Sequence, residues 1–222
     1  MPRTDRVDVG GEVYHVLNRA NARAQIFYDD EDYKLFEFLL KEGKDLTDMR
    51  ILAYTIMPNH WHLVLYPVKD GDLSIFMHWI TLTHTHRYHH IHQTVGHGHL
   101  YQGRYKSFLV EKDDYLQTLI RYVERNPLRA HLVERAEDWR WGSAWRRLNG
   151  TPEEKKLLTP PPTELPHRYS SWLNDEEDTA LIQLRNSVNK GTPYGAMGWT
   201  EDIIKKYDLQ STARGLGRPK RH

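Results

Sequence analysis

His60-Trp61-His62 stands inside a run of strand-forming residues, His60 to Tyr66, and alternate side chains of a strand share a face. Two imidazoles therefore project side by side, while Trp61, Leu63 and Leu65 turn to the opposite face, where they can pack under helices. A pair of neutral imidazoles is a common start to a divalent-metal site, which needs at least one further ligand. Two histidines on a half-exposed sheet face are the plainer alternative. A second set of groups lies on a helix read from Tyr115 to Arg125. Leu116, Leu119, Ile120 and Val123 make its apolar stripe, and Tyr122 and Asn126 meet at helical spacing on a different face. There Asn126 could add an oxygen to a metal site and Tyr122 a nucleophilic hydroxyl. Against that, Tyr122 also reads as a boundary aromatic of the core, and Asn126 as the cap of a short helix begun by Pro127.

These groups need a sheet and helices to hold them. After Gly10-Gly11, Glu12 to Arg19 alternates as a first strand. Asp29-Asp30 caps a helix over Glu31–Lys41, with Tyr33, Phe36, Leu39 and Leu40 on one face. Strands Arg50–Thr55 and His60–Tyr66 flank Met57-Pro58-Asn59, whose proline and asparagine favour the turn of an antiparallel hairpin. A long helical pattern runs from Asp72 to about His90 and is broken at Gly96 and Gly98. Strand Tyr105–Val110 follows, then Asp113-Asp114 capping the helix that carries Tyr122. Asn126-Pro127 interrupts that helix and starts another over Leu128–Val133. The order strand, helix, strand, strand, helix, strand predicts an α+β fold, a ferredoxin-like antiparallel sheet with packed helices. The Pro- and Thr-rich stretch Gly150–Pro166 reads as a linker, and helices near Glu176–Val188 and Thr200–Tyr207 flank the glycine turn Gly191–Gly195. The expected organisation is a domain over 1–149, a linker over 150–170 and a small helical C-terminal extension over 171–222.

Composition sets the outer limits. With 39% hydrophobic and 27% charged residues in a chain of 222, a globular protein is expected and a disordered one excluded. No apolar run approaches a bilayer span, and the first residues lack the apolar core of a secretory signal, so a cytoplasmic protein is expected. The absence of cysteine excludes disulfides and thiolate metal sites. A net charge of +1 is no nucleic-acid signature, but Arg214, Arg218, Lys220 and Arg221 fall in a terminal stretch without a single acid. The histidines His84, His86, His89, His90 and His92 invite a second metal site, yet helical spacing splits them between faces and aligns only pairs such as His86 with His90.

Several of these residues sit in ordered motifs. Met57-Pro58-Asn59-His60-Trp61-His62-Leu63-Val64, Gln102-Gly103-Arg104-Tyr105-Lys106-Ser107 and Tyr122-Val123-Glu124-Arg125-Asn126-Pro127-Leu128-Arg129-Ala130 resemble, in that order, the motifs of REP-associated tyrosine transposases, a branch of the single-tyrosine HUH transposases. The resemblance starts at Gly11-Glu12-Val13-Tyr14-His15-Val16, passes Asn18-Arg19 and reaches Trp139-Arg140-Trp141-Gly142-Ser143, roughly two-thirds of the chain. It implies an HUH nuclease-type fold in which His60 and His62 are the metal-binding pair and Tyr122 the nucleophile. Asn126 takes the place of a third metal ligand that is often glutamine in relatives. The implied cofactor is Mg²⁺ or Mn²⁺, the implied substrate single-stranded hairpin DNA of REP type, and the implied intermediate a 5′-phosphotyrosine, in a monomer or homodimer associated with the bacterial nucleoid. Arg19, Arg104, Lys106 and Arg129 are candidates to hold phosphates, Tyr101 or Trp79 to stack on bases, and the basic arm of Arg214, Arg218, Lys220 and Arg221 to add backbone contacts. The alternatives are a hairpin-binding protein that does not cut, and a metal hydrolase in which water attacks a small phosphoester.

Overall fold

Four short runs rich in β-branched, aromatic and aliphatic residues form four strands in the computed structural model, which describes residues 6–175 and 180–213. They are β1 (Val13–Arg19), β2 (Arg50–Met57), β3 (His60–Tyr66) and β4 (Lys106–Val110), with helix α1 (Asp30–Thr47) between β1 and β2 and α2 (Asp72–Ile91) between β3 and β4. The sheet order is β2-β3-β1-β4 with every neighbouring pair antiparallel, the ferredoxin-like arrangement expected. Further helices follow: α3 (Asp114–Glu124), α4 (Asn126–Arg129), α5 (Ser143–Asn149), α6 (Pro152–Lys155), α7 (Tyr169–Asn174), α8 (Ala180–Lys190), α9 (Met197–Lys206) and α10 (Gln210–Ala213).

Helix α1 starts where the Asp29 carboxylate accepts from the amides of Glu31 and Asp32, with three acids in the first turn against the helix dipole. It runs past the expected Lys41 to Thr47 because its buried face continues through Gly43. A Cβ at Gly43 would lie 3.1 Å from the Phe76 ring, so glycine lets α1 and α2 approach closely. β2 likewise extends to Met57, leaving Pro58 and Asn59 alone as the hairpin turn.

The sheet is covered on both faces. On one, Phe36 and Leu40 of α1 and Phe76, Met77 and Ile80 of α2 pack against Tyr14, Val16, Trp61, Leu63 and Leu65. On the other, Leu116, Leu119, Ile120 and Val123 of α3, with Leu181 and Leu184 of α8, pack against Val13, Val64, Phe108 and Val110. Each such side chain contributes about 1.5–3 kcal/mol when fully buried. A register shift between Ile51 and Ala53 places both Leu52 and Ala53 in this second core.

The passage from α3 to α4 departs from expectation. Arg125 has helical dihedrals (φ −85°, ψ −2°), so α4 begins at Asn126 with Pro127 in its first turn, and it ends at Arg129 and not Val133. Proline is tolerated there because its missing N–H falls among amides that have no helical partner. The stretch over 150–166 contains α6, capped by a reciprocal Thr151–Glu154 box, and docks on the sheet domain through buried Leu157 and a 2.8 Å bond from the Thr159 amide to the Ile51 carbonyl. The glycine turn brings Tyr194 alongside β4 as a short parallel bridge, with bonds of 2.9 Å to the Leu109 carbonyl and 3.0 Å from the Glu111 amide. That bridge covers what would otherwise be an open sheet edge.

Candidate active site

On the α3 face, a cavity of about 640 Å³ opens at the ends of β1, β3 and β4. His60 and His62 form its floor, Tyr122 and Asn126 its α3 side, and Arg19, Arg104 and Lys106 its rim. The C-terminal extension closes one wall with Val188 and Asn189. No Asp or Glu stands among the described residues lining it, so the cavity presents cations and neutral dipoles and suits an anion. The Nε of Arg19 is buried without a hydrogen-bond partner among the described residues.

The two histidines are held differently. The Asn59 amide nitrogen donates to the Arg23 carbonyl at 3.1 Å, which turns its oxygen toward His60 Nδ1 at 2.6 Å. His60 therefore carries its proton on Nδ1 and keeps a lone pair on Nε2. Burial, then the charges of Arg19 and Arg129, hold its pKa down to about 4. His62 Nδ1 lies 2.9 Å from Nε2 of His15, leaving Nε2 of His62 as the nitrogen not engaged by protein. Burial, followed by the neighbouring His60, His15, Arg129 and Arg19, drives its pKa well below the ordinary histidine value. The two rings are 5.1 Å apart between centroids. Both are neutral near pH 7, the form that binds metal.

Tyr122 meets this pair edge-on, its ring centroid 6.0 Å from His62 and 6.3 Å from His15. Its hydroxyl has no hydrogen-bond partner among the described residues, whereas the Arg129 guanidinium sits 4.1 Å over its ring. Asn126 donates its amide nitrogen to the carbonyls of Tyr122 and Val123 at 3.1 Å, and its oxygen accepts from Arg129 at 2.7 Å. Asn126 is therefore not the cap of the short helix, whose N-cap position is Arg125 with no side-chain bond; its side chain bonds back to α3 while lining the cavity, with one of the two lone pairs of the oxygen taken. Helix α3 is pinned in this pose by Thr55, which donates to the Val123 carbonyl at 2.8 Å, and by Arg121 and Arg125, each 2.7 Å from the Asp175 carbonyl. Glu124 is turned away from the cavity into a buried network with Ser143, Arg147 and Tyr169, which removes it as a base for Tyr122.

Other expectations fare differently. Tyr101 does not offer a face for base stacking: it is buried, accepts from Trp61 Nε1 at 3.1 Å and lies 2.6 Å from His84 Nδ1. Trp79 is half-buried against the same core. Of the histidines along α2 and its C-cap, three are spent singly, His84 on Tyr101, His89 on Thr94 and His92 on Asp32. Tyr115 packs at 5.0 Å on Tyr194, away from the cavity. Arg214, Arg218, Lys220 and Arg221 lie outside the described residues. Residues not anticipated are His15, which no local pattern singles out, and Asn59, whose signal was its place directly before the histidine pair.

A metal is tested by the donors. Among the described residues no group of three or more His, Cys, Asp or Glu side chains could hold one, so the pair must be completed by an amide oxygen, water or substrate. Two neutral imidazoles and the Asn126 oxygen form such a set, and a mixed nitrogen–oxygen site of this kind suits a divalent cation. The residues fit.

The family profile described as IS200-like transposase matches residues 9–126, more than half of the chain. A solved REP-associated tyrosine transposase bound to a REP hairpin has a similar fold, with a TM-score of 0.57 and 16% identity over 80% of this chain and 93% of that one. A crystal structure from Deinococcus radiodurans R1, described as a transposase, gives a TM-score of 0.41 and 20% identity over 56% of this chain and 97% of that one. No curated protein matches the sequence. Among the described residues no helix is long and apolar enough to cross a membrane.

Proposed function

Because the chain belongs to the family of IS200-like transposases, we propose that it cuts and rejoins single-stranded DNA beside a REP-like hairpin through a covalent bond to Tyr122. The observation that carries this reading is the convergence of Tyr122, His60, His62 and Asn126 on one cation-rimmed cavity. In this reading residues 1–149 perform the chemistry, 150–170 connect, and 171–222 add contacts to DNA, including those of Arg214, Arg218, Lys220 and Arg221.

Arg19, Arg104 and Lys106 draw the phosphodiester into the cavity and compensate its charge. His60, His62 and Asn126 would hold the divalent ion. When bound, that ion supplies a Lewis acid that polarises a non-bridging phosphate oxygen and fixes the scissile bond. The Tyr122 oxygen then attacks phosphorus: a P–O bond forms to the phenol, the bond to the 3′ oxygen breaks, and that oxygen leaves as a hydroxyl once protonated. The phenolic proton departs to solvent. Arg129, over the Tyr122 ring, favours the developing phenolate. The covalent bond conserves the energy needed to join the 5′ phosphate to another 3′ hydroxyl.

The experiment is incubation of the full chain with end-labelled single-stranded hairpin DNA in Mn²⁺ or in chelator. A denaturation-resistant protein–DNA band that requires metal is expected. Binding without any cut strand would identify a hairpin-binding protein, and cut strands without the band would identify attack by water.

A further inference from the structure

His15 is a fully buried polar side chain in direct contact with the site. It faces the same side of the sheet as His62, diagonally across the β1–β3 ladder, in which Leu17 pairs with His62 and His15 with Val64. It is 0% exposed, with Phe108 at 4.9 Å and Tyr122 at 6.3 Å between ring centroids. One of its nitrogens, Nε2, bonds to His62 Nδ1 at 2.9 Å, and the other, Nδ1, is buried with no partner among the described residues. An apolar side chain in this place would fill the space without stranding a polar atom. Packing therefore gives no reason for an imidazole, whereas the bond to His62 does.

We propose that His15 is a positioning residue for His62: it accepts the His62 Nδ1 proton and so holds His62 in the tautomer whose Nε2 lone pair faces the cavity. The proposal rests on the metal reading of the His60–His62 pair. Two proton placements satisfy a bond between two neutral imidazoles. In one, His62 donates and its Nε2 is a bare donor atom for a metal; in the other, His15 donates and His62 turns an N–H toward the cavity. Arg19 and Arg129, whose charges act on His62, favour a lone pair over an N–H on the cavity side. Asn59 enforces the same tautomer on His60 through Nδ1, so both rings present Nε2. The bond also fixes the plane of the His62 ring against which Tyr122 rests edge-on. Metal-bound histidines commonly pass their second proton to a carboxylate or carbonyl. A neutral acceptor here orients the ligand without adding negative charge to a pocket that must receive a phosphate.

Nitrogen-resolved NMR of the metal-free full chain reads the tautomer directly. His62 protonated on Nδ1 and bare on Nε2 is expected; His62 protonated on Nε2 overturns the proposal, and this measurement needs no variant to fold. A Mn²⁺ titration supplies the second arm. His15→Leu should weaken Mn²⁺ binding by about 10- to 100-fold, while His15→Gln, whose amide oxygen can accept the same proton, should recover most of the loss. Equal Mn²⁺ affinity in His15→Leu and the native chain overturns the proposal. The metal reading fails separately, if the native chain shows no Mn²⁺ affinity that His60→Ala removes, and the NMR result still decides what His15 does.

Discussion

Two histidines at the heart of this protein, His84 and His62, are nearly alike by burial yet belong to different machines. His84, 1% exposed, sits on the α1–α2 side of the sheet with its ring stacked on Phe27 at 5.3 Å and edge-on to Phe36 at 5.0 Å. Its Nδ1 receives the Tyr101 hydroxyl, which in turn accepts from Trp61, so that polar chain ends inside the core. His62, 4% exposed, hangs from the other side of the strand that carries Trp61 and lines a cavity shared with Tyr122 and cations. Burial holds both far below the ordinary histidine pKa, His84 at about 3. Burial and a depressed pKa therefore do not mark a site by themselves. The mark is a nitrogen not engaged by protein, beside a tyrosine hydroxyl, in a cation-rimmed cavity where an anion can enter.

Breaking each histidine should separate the two roles. On the proposed function, His62→Ala removes a metal donor worth several kcal/mol to the transition state, so cleavage should fall about a thousandfold or more while the fold and hairpin binding persist. His84→Ala should do the reverse. It leaves the Tyr101 hydroxyl without an acceptor and a void between Phe27 and Phe36, at a cost of roughly 2–4 kcal/mol, with cleavage per folded molecule unchanged. Denaturant melts paired with cleavage rates check both, and a His84→Ala protein that is fully stable but inactive would erase the distinction.

Acid should act on His84 in the core and on His60 at the cavity together. In the unfolded chain they protonate near pH 6.5, whereas folded His60 and His84 stay neutral down to about 4 and about 3. Between those limits the unfolded state binds more protons, so stability is intact above about pH 6.5 and is lost as pH falls, by up to about 1.4 kcal/mol per pH unit for each such group. Denaturant midpoints at pH 7 and pH 5 should differ accordingly, and saturating Mn²⁺, which would hold folded His60 and His62 neutral, should not lessen the drop, because the unfolded chain still takes up the protons. The smallest effect is at the rim. Arg104→Ala and Lys106→Ala should each lower hairpin affinity a few-fold and reduce the salt slope by about 0.7 for a single-stranded phosphate contact; an unchanged slope would place these side chains off the DNA path.

The contrast also explains what could be read from the sequence. Periodicity alone put His60 and His62 on one side of a strand and Trp61 on the other, and put Tyr122 and Asn126 on a shared helical face, because both follow from local geometry. His15 was invisible because its meeting with His62 depends on the register of β1 against β3, a long-range fact. Tyr101 was misread for a similar reason: it lies in a loop beside Gln102 and Arg104, but a bridge to Ala20 pins it inward. The Arg129 contact with Asn126 lies three residues along one short helix and was within reach of local reasoning. The wall supplied by Val188 and Asn189 was not, since α8 reaches the cavity only through its packing on α3.

The most direct test of the account is which tyrosine becomes linked to DNA. Tyr122→Phe removes a hydroxyl that holds nothing in place, so the chain should fold, bind the hairpin and lack any covalent product. Tyr115→Phe alters a residue that packs on Tyr194 on nearly the same helical face and should behave as the native chain. Each variant is mixed with labelled single-stranded hairpin DNA and Mn²⁺, and a denaturation-resistant labelled band is sought. The account predicts the band with Tyr115→Phe and none with Tyr122→Phe; a band that survives in Tyr122→Phe would contradict it.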